Sequence, residues 1–252
     1  FYGVGPLIFS GTGTLAVTGK FANGVGSKDY IRVCNGTFNI SVSANNGIDT
    51  KNAFFFDYGN LTINATGTTL DDESKGIKVK AKDSAVGANK GYIYINGGTI
   101  NITSVSKAIT AAWDIDEDTT TYTAANPNPF VVINNGVIMI KTTGTPYEYE
   151  DSTGATVSCS PEGIEGKAGL TINNGFISVI TTDDCLNSAN ANMTINGGYI
   201  YCASSSNDAI DSNGTLTING GYIVAIGTSA PEGPFDCDSN TFAITGGTLV
   251  GI

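Results

Sequence analysis

The sequence predicts an all-β fold: a single right-handed parallel β-helix of about eight to nine coils spanning residues 1–252, with three long loop insertions in the middle coils. Three observations lead there. A short marker recurs about every 23 residues, a second marker keeps a fixed offset from the first, and apolar residues alternate with polar ones around both.

The first marker is an apolar residue, Asn, Gly or Asn, then Gly. It reads Ile95-Asn96-Gly97-Gly98, Ile133-Asn134-Asn135-Gly136, Ile172-Asn173-Asn174-Gly175, Ile195-Asn196-Gly197-Gly198 and Ile218-Asn219-Gly220-Gly221, with weaker copies ending at Gly13, Gly36, Gly59 and Gly247. Successive last glycines are 23, 23, 39, 38, 39, 23, 23 and 26 residues apart. The second marker, a small residue followed by an apolar one, occurs at Gly24-Val25, Gly47-Ile48, Gly76-Ile77, Ala108-Ile109, Gly163-Ile164, Cys185-Leu186 and Ala209-Ile210, with Pro234-Phe235 a looser copy. After each marker the period is 2, as in Thr99-Ile100-Asn101-Ile102, the pattern of a strand with one buried face. A unit of this length at ~3.3 Å per residue traces roughly 75 Å, one three-sided turn, and nine turns ~4.8 Å apart make a rod on the order of 40 Å. A propeller blade needs ~40 residues, and hairpins would not keep one spacing.

Asn96, Asn134, Asn173, Asn196 and Asn219 are expected to stack at one buried bend, their amides bonding each other. The Gly or Asn that follows each is expected to supply the positive φ of the bend.

Composition excludes several functions. There is no His, which removes a Ser-His-Asp or Cys-His pair and any imidazole zinc site. Net charge is −11 and Arg32 is the only arginine, so a nucleic-acid partner is not expected. No apolar run reaches the ~18 residues of a membrane span, and no membrane insertion is expected. The chain opens on Phe1 rather than Met, which reads as a removed leader or an excised piece. Flanking domains or chains are expected at the rod ends, where the markers run close to both termini. The five cysteines form no CxxC pair and read as buried small hydrophobes.

The long units place their surplus at 65–73 with 80–90, at 111–129, and at 142–161. These loops sit on adjacent coils and could wall one groove, or be mere insertions tolerated on a rigid rod.

Residues beside the second marker carry the chemistry. Just before it stand Glu162, Asp184 and Asp208; two places after its small residue stand Asp49, Lys78, Thr110, Glu165, Asn187, Asp211 and Asp236. Coiling makes each set a column with members ~5 Å apart, at which two carboxylates repel by roughly 3–4 kcal/mol at an effective dielectric of 20. From 168 to 252 there are seven acids and no Lys or Arg, so the column calls for a cation or for protons. All-oxygen donors point to Ca²⁺. Asp183, Asp184, Asn207, Asp208 and Asp211 are the core ligand candidates, flanked by Glu162, Glu165, Asn187 and Asp236; a solvated acidic face is the alternative. Asp114, Asp116 and Asp118 resemble half of an EF-hand loop, but Thr119 and Ala125 occupy the positions of its Gly and its bidentate Glu.

If Ile177, Ile200 and Ile223 point inward, then Phe176, Tyr199 and Tyr222 point out in one row, with Tyr201 two places on. Such a row is either a platform for sugar rings or a ladder of rings stacked on themselves.

The repeated Ile-Asn-Gly-Gly, with Asp183-Asp184, Asn207-Asp208 and Glu162-Gly163-Ile164-Glu165-Gly166 at equivalent places, resembles the bacterial carbohydrate-binding parallel β-helix domain family. The resemblance implies a secreted or cell-surface protein that binds cell-wall polysaccharides, cellulose or acidic pectin-like glycans, with Ca²⁺. The fold is also similar to that of the family 9 pectate lyases, whose calcium pattern falls here on Asp183, Asn207, Asp208 and Asp211, one Asp being replaced by Asn. Those enzymes use a downstream lysine as base, and this chain has no Lys or Arg after Lys167. The expected function is therefore a noncatalytic, calcium-binding carbohydrate-binding module. The alternatives are a calcium-dependent lyase or other glycan-cleaving enzyme, and a surface adhesin or spacer without a glycan site.

Overall fold

The computed structural model describes residues 1–68, 73–81, 90–113 and 128–252. Among them there is no helix, so none long and apolar enough to cross a membrane. The chain winds through three parallel sheets of eight, nine and nine strands, each coil adding one strand to each sheet. The first sheet begins at the second marker, with strands such as Ile48–Thr50, Ile109–Trp113, Leu186–Ser188 and Ile210–Ser212. The second holds the strand before each Asn-Gly bend, such as Ala53–Phe56 and Tyr92–Ile95. The third follows the bend, as in Thr99–Ser104 and Phe176–Thr181. This is the parallel β-helix that the repeat predicts.

Alternation fixes what points inward. In the third sheet Leu61, Ile100, Ile138, Ile177, Ile200 and Ile223 lie in one unbroken register, all buried. Each buried aliphatic side chain contributes ~1.5–3 kcal/mol, and a shift of one residue would turn the whole row to solvent. The neighbouring inside row shrinks along the rod, from Ile140 through Val179 and Cys202 to Ala225. Cys159, Cys185 and Cys202 are buried as expected; Cys34, at a bend, and Cys237, in the last coil, are only half-buried.

The asparagine ladder is present but sits on the ridge of the bend, exposed to half-buried, rather than at a buried corner. The amides of Asn134, Asn173, Asn196 and Asn219 each donate to the preceding Asn at 2.7–2.8 Å, and Asn96 donates to Asp57 at 2.8 Å. Positive φ falls on the last glycine of the marker, not on the residue after Asn: Gly98 has φ 76° and Gly175 φ 128°. A Cβ on Gly98 would lie 2.6 Å from the Gly59 carbonyl oxygen, so the coil-to-coil approach also demands Gly. The residue between caps the turn instead, as Asn135 Oδ1 and Asn174 Oδ1 accept from the next N–H at 2.9 and 2.8 Å.

Of the three insertions, 142–161 is described in full and forms an antiparallel hairpin of Tyr147–Glu150 and Thr156–Cys159. The Tyr147 hydroxyl donates to Glu73 Oε1 at 2.5 Å, tying the hairpin back to the third coil. Most of the other two insertions, including Asp114, Asp116, Asp118, Thr119 and Ala125, lies outside the described residues.

Candidate functional site

The first sheet turns sequence repeats into columns. Thr110 pairs with Glu165, Glu165 with Asn187, Asn187 with Asp211, and a bridge continues to Asp236. On the other side of Thr110 the column runs through Lys78 to Asp49. The residue before the marker stacks likewise: Ala108 N–H donates to the Glu162 carbonyl at 3.0 Å and Gly163 N–H to the Asp184 carbonyl at 2.8 Å. Asp208 N–H donates to Asp184 Oδ1 at 3.1 Å. Lys107, Glu162, Asp184 and Asp208 therefore follow one another along the corner between the third and first sheets.

Buried hydroxyls shape that corner. Thr181 and Ser204 take the last inward position of their strands, where earlier coils carry Val42 and Ala65. Thr181 Oγ1 donates to the Asp183 carbonyl at 2.5 Å, and Ser204 Oγ accepts from Asn207 N–H at 3.0 Å. These bonds turn the chain so that the acidic pairs follow at once. The sequence signal was a Ser or Thr in a position that periodicity reserves for an apolar residue.

The corner has two halves. In the first, Lys107 Nζ lies 2.7 Å from Glu162 Oε1 and 2.8 Å from Glu165 Oε1. Thr110 donates to Glu165 Oε2 at 2.5 Å and Lys167 Nζ stands 3.5 Å from Oε1. Burial alone would raise the Glu165 carboxyl, but Lys107 and Lys167 pull it down to about 2. Burial also opposes the Lys107 charge, and the two glutamates outweigh it and raise its pKa. One lysine cannot offset two buried carboxylates, and burial pushes Glu162 up.

The second half holds Asp183, Asp184, Asn187, Asn207, Asp208, Asp211 and Asp236, with no ammonium or guanidinium following Lys167. Asp183 Oδ1 accepts from Asn207 Nδ2 at 2.7 Å, so these two candidates bind each other. Burial, then Glu162 and the neighbouring aspartates, pushes Asp184 up to about 9. Burial likewise pushes Asp211 to about 7, with Asp208 and Asp236 adding to it. Asp208 rises to about 6, burial outweighing the 2.5 Å bond it accepts from Gly233 N–H.

The donor set fits a hard cation. Carboxylate oxygens of Asp208, Asp211 and Asp236 lie within 4.8 Å of one another. Two oxygens on opposite sides of one Ca²⁺ at ~2.4 Å are ~4.8 Å apart. Independently, Asn187 Oδ1, one coil from this cluster, has no hydrogen-bond partner although its residue is only 8% exposed; Glu162 Oε2, two coils from Asp208 and beside Lys107, is likewise unpartnered at 5%. Asn187 gives its amide hydrogen to Asp184 Oδ2 at 3.0 Å, leaving its carbonyl oxygen orphaned. A buried acceptor without a donor costs ~1–3 kcal/mol, which a cation would remove.

The outward aromatics form the expected row: Phe176 pairs with Tyr199 and Tyr199 with Tyr222, exposed at 52%, 67% and 48%. Tyr201 stands beside Ser178 and Val224. Among the described residues these rings make no ring–ring contact with one another, so they are not a self-stacked ladder. Phe176 also borders a groove of about 500 Å³ that runs past Val137, Gly136, Thr99 and Gly98 to Tyr58. The row opens the strands whose far ends lead into the acidic corner, ~20 Å away at ~3.3 Å per residue.

A second aromatic group escaped the sequence reading. On the outer face of the second sheet Phe55 stacks on Tyr94, and Tyr92 on Phe130, at 6.0 and 5.3 Å between centroids. Alternation in Tyr92-Ile93-Tyr94 was its only signal.

No curated protein and no solved structure matches the chain. Residues 1–209 match a family model described as carbohydrate-binding domain-containing protein, a segment that takes in Glu162, Asp184 and Asp208 and ends before Asp211. With that match covering most of its length, and with the acidic corner and the exposed ring row as its two outstanding surface features, the chain belongs to the carbohydrate-binding domain-containing protein family.

Proposed function

We propose that this chain is a noncatalytic module that binds a cell-wall polysaccharide, neutral or acidic, with the help of Ca²⁺, on a secreted or cell-surface protein. Asp208, Asp211 and Asp236 would hold the ion, with Asp184 and the orphaned oxygen of Asn187 beside it; Asp183 and Asn207 would shape the corner. When bound, the ion supplies positive charge to an otherwise uncompensated acidic face, which is how such a face can accept a carboxylated sugar. Phe176, Tyr199, Tyr201 and Tyr222 would present flat apolar faces to sugar rings. The observation that carries the reading is the buried, unpartnered Asn187 carbonyl oxygen at the edge of an acid cluster without a basic residue.

Binding is favoured over β-elimination because the ammonium nearest the acids, Lys107, is fixed between two glutamates and its pKa is raised. A base for proton abstraction needs the opposite shift.

Calorimetric titration with Ca²⁺ of the whole chain and of Asp211→Ala, followed by retention on insoluble polysaccharides with and without chelator, tests the proposal. Expected are a saturable heat lost in the variant and retention weakened by chelator. No heat at millimolar Ca²⁺ would overturn the metal site, and an unsaturated, ultraviolet-absorbing product would overturn the noncatalytic reading.

A further inference from the structure

We infer that the outer face of the second sheet, in the early coils, holds a second glycan site that takes a sugar ring bearing an anionic group and works without metal. The inference rests on the carbohydrate-binding reading of the chain but uses none of the residues of the acidic corner or of the exposed ring row.

Three adjacent strands build it. Tyr30 pairs with Ala53 and Ala53 with Tyr92, so one outward row reads ring, methyl, ring. The small residue between two tyrosines, ~4.8 Å from each along the rod, leaves a notch whose floor, Ala53, is only 2% exposed. The next outward position on the central strand is Phe55, whose ring meets Tyr30 at 90° and 6.1 Å and Tyr92 at 80° and 5.7 Å. Three rings thus form three sides of a box. The stacking of Phe55 on Tyr94 and of Tyr92 on Phe130 holds two of those sides in place before any ligand arrives, and such preorganisation lowers the ordering cost of binding. The cavity is about 410 Å³, within the range of small-molecule sites.

The rim is polar and its charge has a sign. Asn52 Nδ2 donates to Asp29 Oδ1 at 2.7 Å, which fixes both side chains as hydrogen-bonding partners for hydroxyls. Arg32 and Lys90 line the same cavity, the guanidinium 5.5 Å from the Phe55 ring centroid with Nε on Asp57. Residues 1–90 carry nine of the twelve Lys and Arg and seven of the 23 acids, a net +2, whereas 91–252 carry three bases and sixteen acids, a net −13. An anionic sugar is therefore drawn to this end of the rod and repelled from the other unless metal is present. Carboxylate and sulfate share that chemistry.

The test is binding of the full chain, in excess EDTA, to three oligosaccharide series: uronate-containing, sulfated and neutral. The variants are Tyr92→Ala, Lys90→Gln, Ala53→Tyr and, as a control, Phe21→Ala, which removes a ring that is 91% exposed and outside the box. Ala53→Tyr inserts a ring at a position that is 2% exposed and fills the notch, and a thermal melt of every variant separates a lost site from a lost fold. Expected is EDTA-resistant, salt-sensitive binding of one or both anionic series. Tyr92→Ala and Ala53→Tyr should each weaken it at least about tenfold, the size of an aromatic anchor. Lys90→Gln should weaken it several-fold and Phe21→Ala not at all. Loss of all glycan binding in EDTA, or unchanged binding in Ala53→Tyr, would overturn the inference. Equal binding of neutral chains would overturn its charge requirement. Calcium-dependent retention, measured separately without EDTA, reports on the acidic corner alone, so the two readings fail separately.

Discussion

Glu162 and Glu165 occupy the same two columns as Asp184, Asp208 and Asp211, one or two coils away, yet Glu165 and the aspartates end in opposite electrostatic states. The glutamates share Lys107, and Glu165 is held near pKa 2. The aspartates meet no base and rise to between about 6 and 9. In a solenoid each coil touches only its neighbours, so a lysine one coil before Glu162 cannot serve Asp208. The same stacked acid is a structural ion pair where a base lies within reach and a demand for an external cation where none does.

The largest effect expected from breaking this contrast is on folding. Lys107→Met leaves buried Glu162 without a cation and Glu165 with Lys167 alone, and should cost ~3–5 kcal/mol, read as a fall in the denaturation midpoint. A loss under ~1 kcal/mol would show that the lysine is not what separates the two halves. Ca²⁺ should then sharpen the contrast. At about 100 times Kd it should add ~2.7 kcal/mol of stability, an increment absent in Asp211→Asn and retained in Glu165→Gln.

In chelator, pH should separate Glu165 from the aspartates by sign. Asp184, Asp208 and Asp211 have folded pKa values raised above the ordinary 3.8. Between about pH 4 and 9 the folded state holds protons that the unfolded state has released, so stability should fall as pH rises through that window. Glu165, with a lowered value, contributes stability that is present above about pH 4.5 and lost as pH falls towards 2. Thermal melts from pH 5 to 9 should show Asp184→Asn flattening the first slope, and a profile rising across that range would contradict the assignment. The smallest effect on stability is expected outside both halves. Tyr199→Ala, with its ring 67% exposed, should shift stability by under ~0.5 kcal/mol while lowering polysaccharide retention several-fold.

The coil architecture was legible because one spacing repeats: the Asn of each marker, the marker glycine and the acids beside the second marker all land where the period puts them. The Lys107 pairing was not, because the insertions at 111–129 and 142–161 put Lys107 and Glu165 58 positions apart and hide their adjacency. The site of positive φ was misplaced by one residue, since stacking glycine on glycine, rather than turn chemistry alone, selects the position. The three-ring box was missed because Tyr30, Phe55 and Tyr92 lie at unequal spacings with no marker, and the decisive residue is an alanine. A notch becomes visible only when its two walls are placed side by side.

The ridge of amides has a direction. Every Asn from 219 back to 96 gives its hydrogen to the coil before it, Asp57 receives the last one while bound to Arg32, and the Thr245 hydroxyl feeds the first at 2.7 Å. A row with a fixed donor end and a fixed acceptor end can gain or lose a whole middle turn without disturbing either terminus, because each new amide both receives and passes on. Length in such a molecule is thus a modular property, open to tandem copying of a 23-residue cassette, whereas a fractional cassette would leave two polar groups facing each other with the wrong sense.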